Sequence, residues 1–266
     1  GGTDNGFVTT WYDQSGNAEN VVQATTTKQP KIVSAGVAVV DNGKPSIDTR
    51  TTCFLTNNTI VGSQYDTTFA VGRTLGTANA FMHDGDSVNN MSVVQFSTEY
   101  FRLWNGAATI TASDYPLGNQ YLVYTKANNA GTDDEIAING NSPLVDAGGS
   151  NTRSGLFIGS AGTTVSTSPW NGYISEFILY KSDQSANRIS IETNINNHFS
   201  IYTPAYSVEA QDYFNRLSAA GDSTYTPYKQ PLANYIDSLV ALGGAYWDDM
   251  ESAASFVGVG IQGITV

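Results

Sequence analysis

Cysteine occurs once in 266 residues, at Cys53, so the chain can form no internal disulfide and can assemble no thiolate metal cluster. A lone thiol of this kind is expected as a small buried apolar side chain. Histidine occurs only at His83 and His198, and a His-rich metal site or a Ser-His-Asp arrangement would have to use one of them. No Gly-x-Ser-x-Gly elbow, His-Glu-x-x-His helix or lysine-bearing phosphate loop is present, and solvated or capping roles are expected for both histidines. Positive charge is scarce: 12 Lys and Arg stand against 24 Asp and Glu, a formal charge of −12. That leaves no electrostatic footprint for nucleic acid or an anionic membrane. No run of 18 apolar residues offers a membrane insertion. The opening Gly1-Gly2-Thr3-Asp4 has neither the basic nor the apolar part of a signal peptide, and both ends read as interior junctions.

What the chain has is turn chemistry and short strands. Strand patterns occur at 7–12, 67–71, 91–96, 100–104, 120–124, 156–159 and 173–180, each a run with the length and alternation of a strand. Between them lie Asp41-Asn42-Gly43, Asn105-Gly106, Asn139-Gly140 and Gly148-Gly149, dipeptides that supply the positive φ angles of tight hairpins. Regular strand spacing without intervening helices predicts a mainly β fold, an antiparallel sandwich or jelly roll. After Tyr180 the period changes. Ser185 is placed to cap a helix whose Ile191, Ile195 and Phe199 recur every four residues and whose end is set by Pro204. From Tyr206 to Phe256 three further short helices are expected. The domain reading is therefore a sandwich over 1–203 and a helical appendage or linker over 204–266.

Two stretches carry a family resemblance. Phe7-Val8-Thr9-Thr10-Trp11-Tyr12-Asp13-Gln14-Ser15-Gly16-Asn17, with Gln29-Pro30-Lys31-Ile32-Val33 and Gly43-Lys44-Pro45-Ser46-Ile47, resembles the opening of laminin-G-like (concanavalin A-like) jelly rolls in structural proteins of tailed bacteriophages. The segment from Trp170 through Tyr180 to Phe199 resembles the close of the same domain. This resemblance implies a virion surface component such as a tail fibre or spike, assembled in the host cytoplasm with other virion proteins and as a homo-oligomer, and displaying loops to a host glycan. Tyr12-Asp13-Gln14-Ser15-Gly16 is similar also to the catalytic domain of arabinofuranosidase B. Physically the same residues make a good four-residue turn, so the motif speaks for the fold more than for activity.

Glycoside hydrolysis needs two carboxyl groups converging on one bond. Asp84, Asp86, Glu99, Glu135 and Glu176 are candidates, but none has a spacing that forces a pair together, and no catalytic residue is assigned. A binding function is expected instead, with a secreted lectin module and an arabinofuranosidase-type hydrolase as rivals. Sugar recognition pairs a stacking aromatic with amide or carboxylate acceptors. Trp104-Asn105 and Trp170-Asn171 have that chemistry and Tyr100 stands near the first, so these five are the candidate ligand residues. No cofactor is required; calcium is expected at Asp84, Asp86 and Asn89, whose oxygens are closely spaced. The acidic run Asp133-Asp134-Glu135 reads as a solvated hairpin tip.

Overall fold

The computed structural model describes residues 2–50, 52–76, 80–85, 91–96, 100–106, 108–160 and 169–202. In chain order the first strands are β1 (Gly6–Phe7), β2 (Thr10–Trp11), β3 (Val21–Val22), β4 (Lys31–Ser34), β5 (Val37–Ala38), β6 (Val40–Asp41), β7 (Lys44–Pro45), β8 (Ile47–Asp48) and β9 (Leu55–Asn57). There follow β10 (Tyr65–Thr74), β11 (Ala80–Asp84), β12 (Met91–Phe96), β13 (Tyr100–Asn105), β14 (Ala108–Ser113) and β15 (Tyr121–Asn128). The last are β16 (Asp134–Ile138), β17 (Leu144–Asp146), β18 (Leu156–Ile158) and β19 (Gly172–Tyr180), before the helix α1 (Arg188–Phe199).

These strands form two large sheets. One runs β1-β4-β8-β19-β10-β15-β16-β17, with β5 on β4; the other runs β14-β13-β12-β11-β18-β9-β3-β2. Pairing between the named strands is antiparallel, as in the long β10–β15 and β10–β19 ladders, so the fold is the antiparallel sandwich that the strand spacing predicts. Inward side chains of both sheets make one core: Ala70, Val123, Ile136 and Ile174 from the first meet Leu55, Met82, Phe101, Leu103 and Ile158 from the second. Trp170, fully buried, fills the same core.

β10 and β15 are buried on both faces. Ala70 and Val123 enter the inter-sheet core, while Phe69 and Tyr124, one position away, stack at 5.2 Å between ring centroids on the opposite face. There α1 packs on β15, contributing buried Ile195 and Phe199, each worth about 1.5–3 kcal/mol of apolar burial. The buried face of α1 is not the apolar stripe expected. Ile191 is only half-buried, whereas Arg188, Glu192 and Asn196, spaced four apart, are all buried. They are tolerated because each is bonded: Arg188 Nη1 donates to Glu192 Oε2 at 2.6 Å and to the Asn141 carbonyl, and its guanidinium lies 5.4 Å over the Tyr124 ring.

Burial pushes the Glu192 carboxyl up to about 7, Arg188 pulling the other way. A carboxyl raised above its unfolded value binds more protons in the native state between about pH 4.5 and 7. Its contribution to stability is therefore present below that window and is lost as pH rises through it. Urea unfolding at pH 5 and pH 8 is expected to show a decline on the order of 3 kcal/mol from this group, and Glu192→Gln is expected to remove that part of the pH slope. An unchanged slope in the variant would contradict the assignment.

Several local expectations need correction. Residues 7–12 are not one strand: the chain leaves the first sheet after Phe7 and enters the second at Thr10, with Val8 turned inward and its amide bonded to the Pro30 carbonyl. Ser185 does not cap the helix; it donates through its amide and hydroxyl to Asp183 Oδ1 at 2.8 and 2.6 Å, so the acidic neighbour is the acceptor. Nor does Pro204 end α1. The helix stops at Phe199 because Ser200 turns left-handed (φ 53°) with its amide on the Asn196 carbonyl, and Asn196 Oδ1 takes the next amide. Gly148-Gly149 is no hairpin either, because it joins β17 to β18, which lie in different sheets. A side chain at Gly149 would run into the Asn105 carbonyl, so this corner needs glycine to let the chain cross between sheets.

Asn42-Gly43 and Asn139-Gly140 do take the positive φ pairs expected of them, and Gly106 has φ 65°. Cys53 is buried. His83 is buried rather than solvated or capping: its Nε2 lies 3.2 Å from the Thr68 hydroxyl, and burial, with Arg153 nearby, keeps the imidazole well below its ordinary value. The chain separates into compact units Gly1–Ile201 and Tyr202–Val266. The sandwich is the first; the helices expected over 206–256 lie outside the described residues.

One buried ion pair joins the two sheets. Arg153, in the β17–β18 connection, donates from Nε to Asp66 Oδ2 of β10 at 3.0 Å and from Nη1 to the Asp84 carbonyl of β11 at 3.2 Å. The side chains of Arg153 and Asp66 are both only 1% exposed.

Candidate functional site

β13 alternates cleanly between the two faces of its sheet. Phe101, Leu103 and Asn105 are buried, while Tyr100 and Arg102 are half-buried and Trp104 is 41% exposed. A strand rises about 3.3 Å per residue, so Tyr100 and Trp104 stand on the same face roughly 13 Å apart, with Arg102 between them. The guanidinium of Arg102 lies 5.6 Å over the Tyr100 ring and its Nε donates to the Thr111 hydroxyl at 3.3 Å. Thr111 and Ser113 of β14 are exposed beside them, opposite Arg102 and Tyr100 in the ladder. The Trp104 indole N–H donates to the Gly106 carbonyl, which fixes the ring at the hairpin tip. The result is a flat platform with two aromatic side chains, a guanidinium and hydroxyls.

Of the five residues proposed from sequence, Tyr100 and Trp104 thus share one face. The other three do not join them. Asn105 points inward: its Nδ2 donates to Asp134 Oδ2 at 3.0 Å and its Oδ1 accepts the Asn151 amide at 3.3 Å. Adjacent residues in a strand face opposite ways, so Trp104-Asn105 could not act as one unit. Trp170 is core, its indole N–H donating to the Tyr173 carbonyl at 3.0 Å. Asn171 is exposed, but next to a Trp that is not.

Asp134 is also no solvated tip residue. It is 1% exposed and takes the Asn128 and Gly149 amides as well as Asn105; burial raises its carboxyl above the ordinary value against those bonds. Glu135 is committed to Lys126 at 2.7 Å and to the Tyr124 hydroxyl at 2.8 Å. Asp84 is buried, with Oδ1 on the Gly85 amide. Among the described residues no three His, Cys, Asp or Glu side chains are grouped to hold a metal ion. Asp86, Asn89 and Glu99 lie outside the described residues, and the calcium expectation rests on the first two together with Asp84.

A second feature is a cleft of about 920 Å³ along the β19 edge of the sandwich. One wall is the Tyr12–Glu19 loop. Asp13 organises it by accepting the Ser15 amide at 2.8 Å, the Ser15 hydroxyl at 2.8 Å and the Glu19 amide at 3.0 Å, bonds that hold its carboxyl below the ordinary value. The turn reading of this motif is therefore the right one, and it leaves Tyr12 66% exposed. The facing wall is Glu176 to Lys181, six consecutive residues of β19 and its end. Such a wall arises only when a strand offers its edge. β8 pairs with β19 at Tyr173 and Ile174 alone, whereas β10 continues along the other side to Tyr180. Glu19 and Lys181 tie the walls together at 2.6 Å. Glu176 is half-buried and burial raises its carboxyl, the Phe177 amide working against this. No sequence pattern shows this cleft, because a gap between strands leaves no periodic mark.

No family model matches the chain, and no curated protein does. Solved structures are similar to it. An α-L-arabinofuranosidase of glycoside hydrolase family 54, soaked with a cyclic sulfate inhibitor, aligns with TM-score 0.51 at 14% identity over 77% of this chain. The match spans 53% of that enzyme's length. The heptameric SAP-like pentraxin of Limulus polyphemus aligns with TM-score 0.42 at 14% identity, over 57% of this chain and 76% of its own. The sialidase CBM40 module of Ruminococcus gnavus bound to α2,3-sialyllactose gives 0.41 at 13%, over 49% and 84%. At these identities the arabinofuranosidase likeness establishes a common β-sandwich architecture and nothing about chemistry.

Proposed function

We propose that this chain is a glycan-binding module whose platform is the outer face of β13 and β14. The observation that carries this reading is the exposed Trp104 ring, held on the same face as Tyr100 with Arg102, Thr111 and Ser113 around it. A sugar has an apolar ring face and a rim of hydroxyls. The aromatic rings meet the first, and the guanidinium and hydroxyls meet the second. Two rings on one strand suit two sugars of a chain rather than a single monosaccharide.

Binding is favoured over hydrolysis because the carboxyls near one another are already committed. Asp13 is saturated by its own loop and Glu19 by Lys181, which leaves Glu176 without a second free acid beside it among the described residues of the cleft. Release of sugar from an aryl glycoside, abolished by Glu176→Gln, would establish the hydrolase instead. Display on a virion surface, in a homo-oligomer with other virion proteins, is the finer part of the proposal and is supported by the sequence resemblance at residues 7–47 and 170–199. Detection of the chain in purified particles would test it.

Glycan-array screening followed by calorimetry tests the binding itself. Trp104→Ala is expected to weaken the best array ligand by roughly 10- to 100-fold, the cost of removing about 1.5–3 kcal/mol of aromatic burial. Stability should change by no more than about 1 kcal/mol, because the ring is already partly in water. Undiminished affinity in this variant would remove the platform from consideration.

A further inference from the structure

The cleft beside β19 has three properties that a sugar site does not explain. Its wall is a strand edge that no other strand pairs among the described residues, and it offers N–H and C=O groups at alternate residues in the spacing of another β-strand. Its floor is apolar: Val21, Ile60, Leu156 and Ile158 line it, and all four belong to the inter-sheet core. Along the edge itself Phe177 and Leu179 point into that core, and Ile178 and Tyr180 to the other face, so the alternation of a buried strand is already in place. Charge at the rim is one-sided. Lys181 is neutralised by Glu19, and the Glu176 carboxyl, half-buried, has no cation beside it among the described residues.

We propose that this cleft receives an extended polypeptide segment from another molecule, which adds itself as a strand to β19 over Glu176–Lys181. The incoming segment alternates, with apolar side chains every second residue resting on the Val21, Ile60, Leu156 and Ile158 floor and a lysine or arginine meeting Glu176. Main-chain pairing to β19 supplies affinity and the alternate side chains supply selectivity. The Tyr12–Glu19 loop, braced through Asp13, forms the opposite lip.

The test uses the full chain and two blocked seven-residue peptides, Thr-Val-Lys-Val-Thr-Val-Thr and the same sequence with Glu for Lys. Hydrogen exchange of the free protein comes first. Amides of β19 that point away from β10 are expected to exchange fast, and protection of those amides would show the edge already covered and overturn the proposal. On adding the lysine peptide, the same amides should become protected and their NMR signals should shift. In Glu176→Lys, with circular dichroism unchanged, affinity for the lysine peptide should fall at least about tenfold and the glutamate peptide should bind in its place. A variant that fails to fold is replaced by Glu176→Gln, for which the two peptides should bind with equal affinity. Shifts elsewhere, or none, or a preference that ignores the charge swap, would refute strand addition. Shifts of the β19 amides by neutral oligosaccharides alone would make the cleft a sugar site.

Discussion

Replacing Arg153 by alanine is expected to cost the sandwich about 3–5 kcal/mol, because it strands a carboxylate rather than merely deleting a bond. Asp66 is 1% exposed, its Oδ2 is held by Arg153 at 3.0 Å, and its Oδ1 has no hydrogen-bond partner among the described residues. Burial already raises this carboxyl, and Arg153 is the main influence opposing the rise. The arginine also spans the sheets through the Asp84 carbonyl, so its loss loosens β10 from β11 at that end. In a domain of this size the melting temperature should drop by roughly 10 °C or more. A double variant with Met at 153 and Leu at 66 should recover most of the loss, since a buried ion pair exchanged for packed apolar groups is often neutral. A single variant within about 1 kcal/mol of the parent would show the pair to be dispensable.

Trp170→Ala is the second large effect, with about 3–5 kcal/mol lost to the cavity and the missing burial. The ring is 0% exposed, its N–H is satisfied by the Tyr173 carbonyl, and its main-chain carbonyl takes the Thr49 hydroxyl at 2.6 Å. Thermal or urea unfolding measures this directly. Paired with Trp104→Ala it separates two tryptophans that sequence alone treats alike: one should change stability, the other binding. Equal stability losses in the two variants would contradict the placement of Trp104 at the surface.

The contrast marks how far the sequence could be read. Alternation along 67–71, 100–104 and 173–180, with Asn-Gly pairs between runs, is a local property of the chain, and it yields the antiparallel sandwich because each strand must bury one face. The same alternation gives Tyr100 and Trp104 a common face. It could have warned against Asn105, which is one residue out of phase. Trp170 is not separable in this way, since the main-chain carbonyl of Tyr173 that satisfies its indole N–H is placed by how β19 begins rather than by any neighbour pattern. Long-range partners stayed hidden for a physical reason. Arg153 meets Asp66 across 87 positions, and Asp134 is buried only because Asn105, Asn128 and Gly149 converge on it. Apolar spacing carries no sign of the buried polar stripe of α1, because Arg188 is held there by Tyr124 beneath it and by Glu192 one turn on.

The bond between Asn105 and Asp134 runs from the tip of the β13–β14 hairpin to the opposite sheet. A hairpin anchored from behind in this way is preorganised: the indole at its tip is presented in one attitude before any ligand arrives, so little ordering entropy is spent on association. Loosening the anchor at Asp134, on the far side from the proposed platform, should therefore appear first as faster dissociation of its ligand, with the platform side chains still in place.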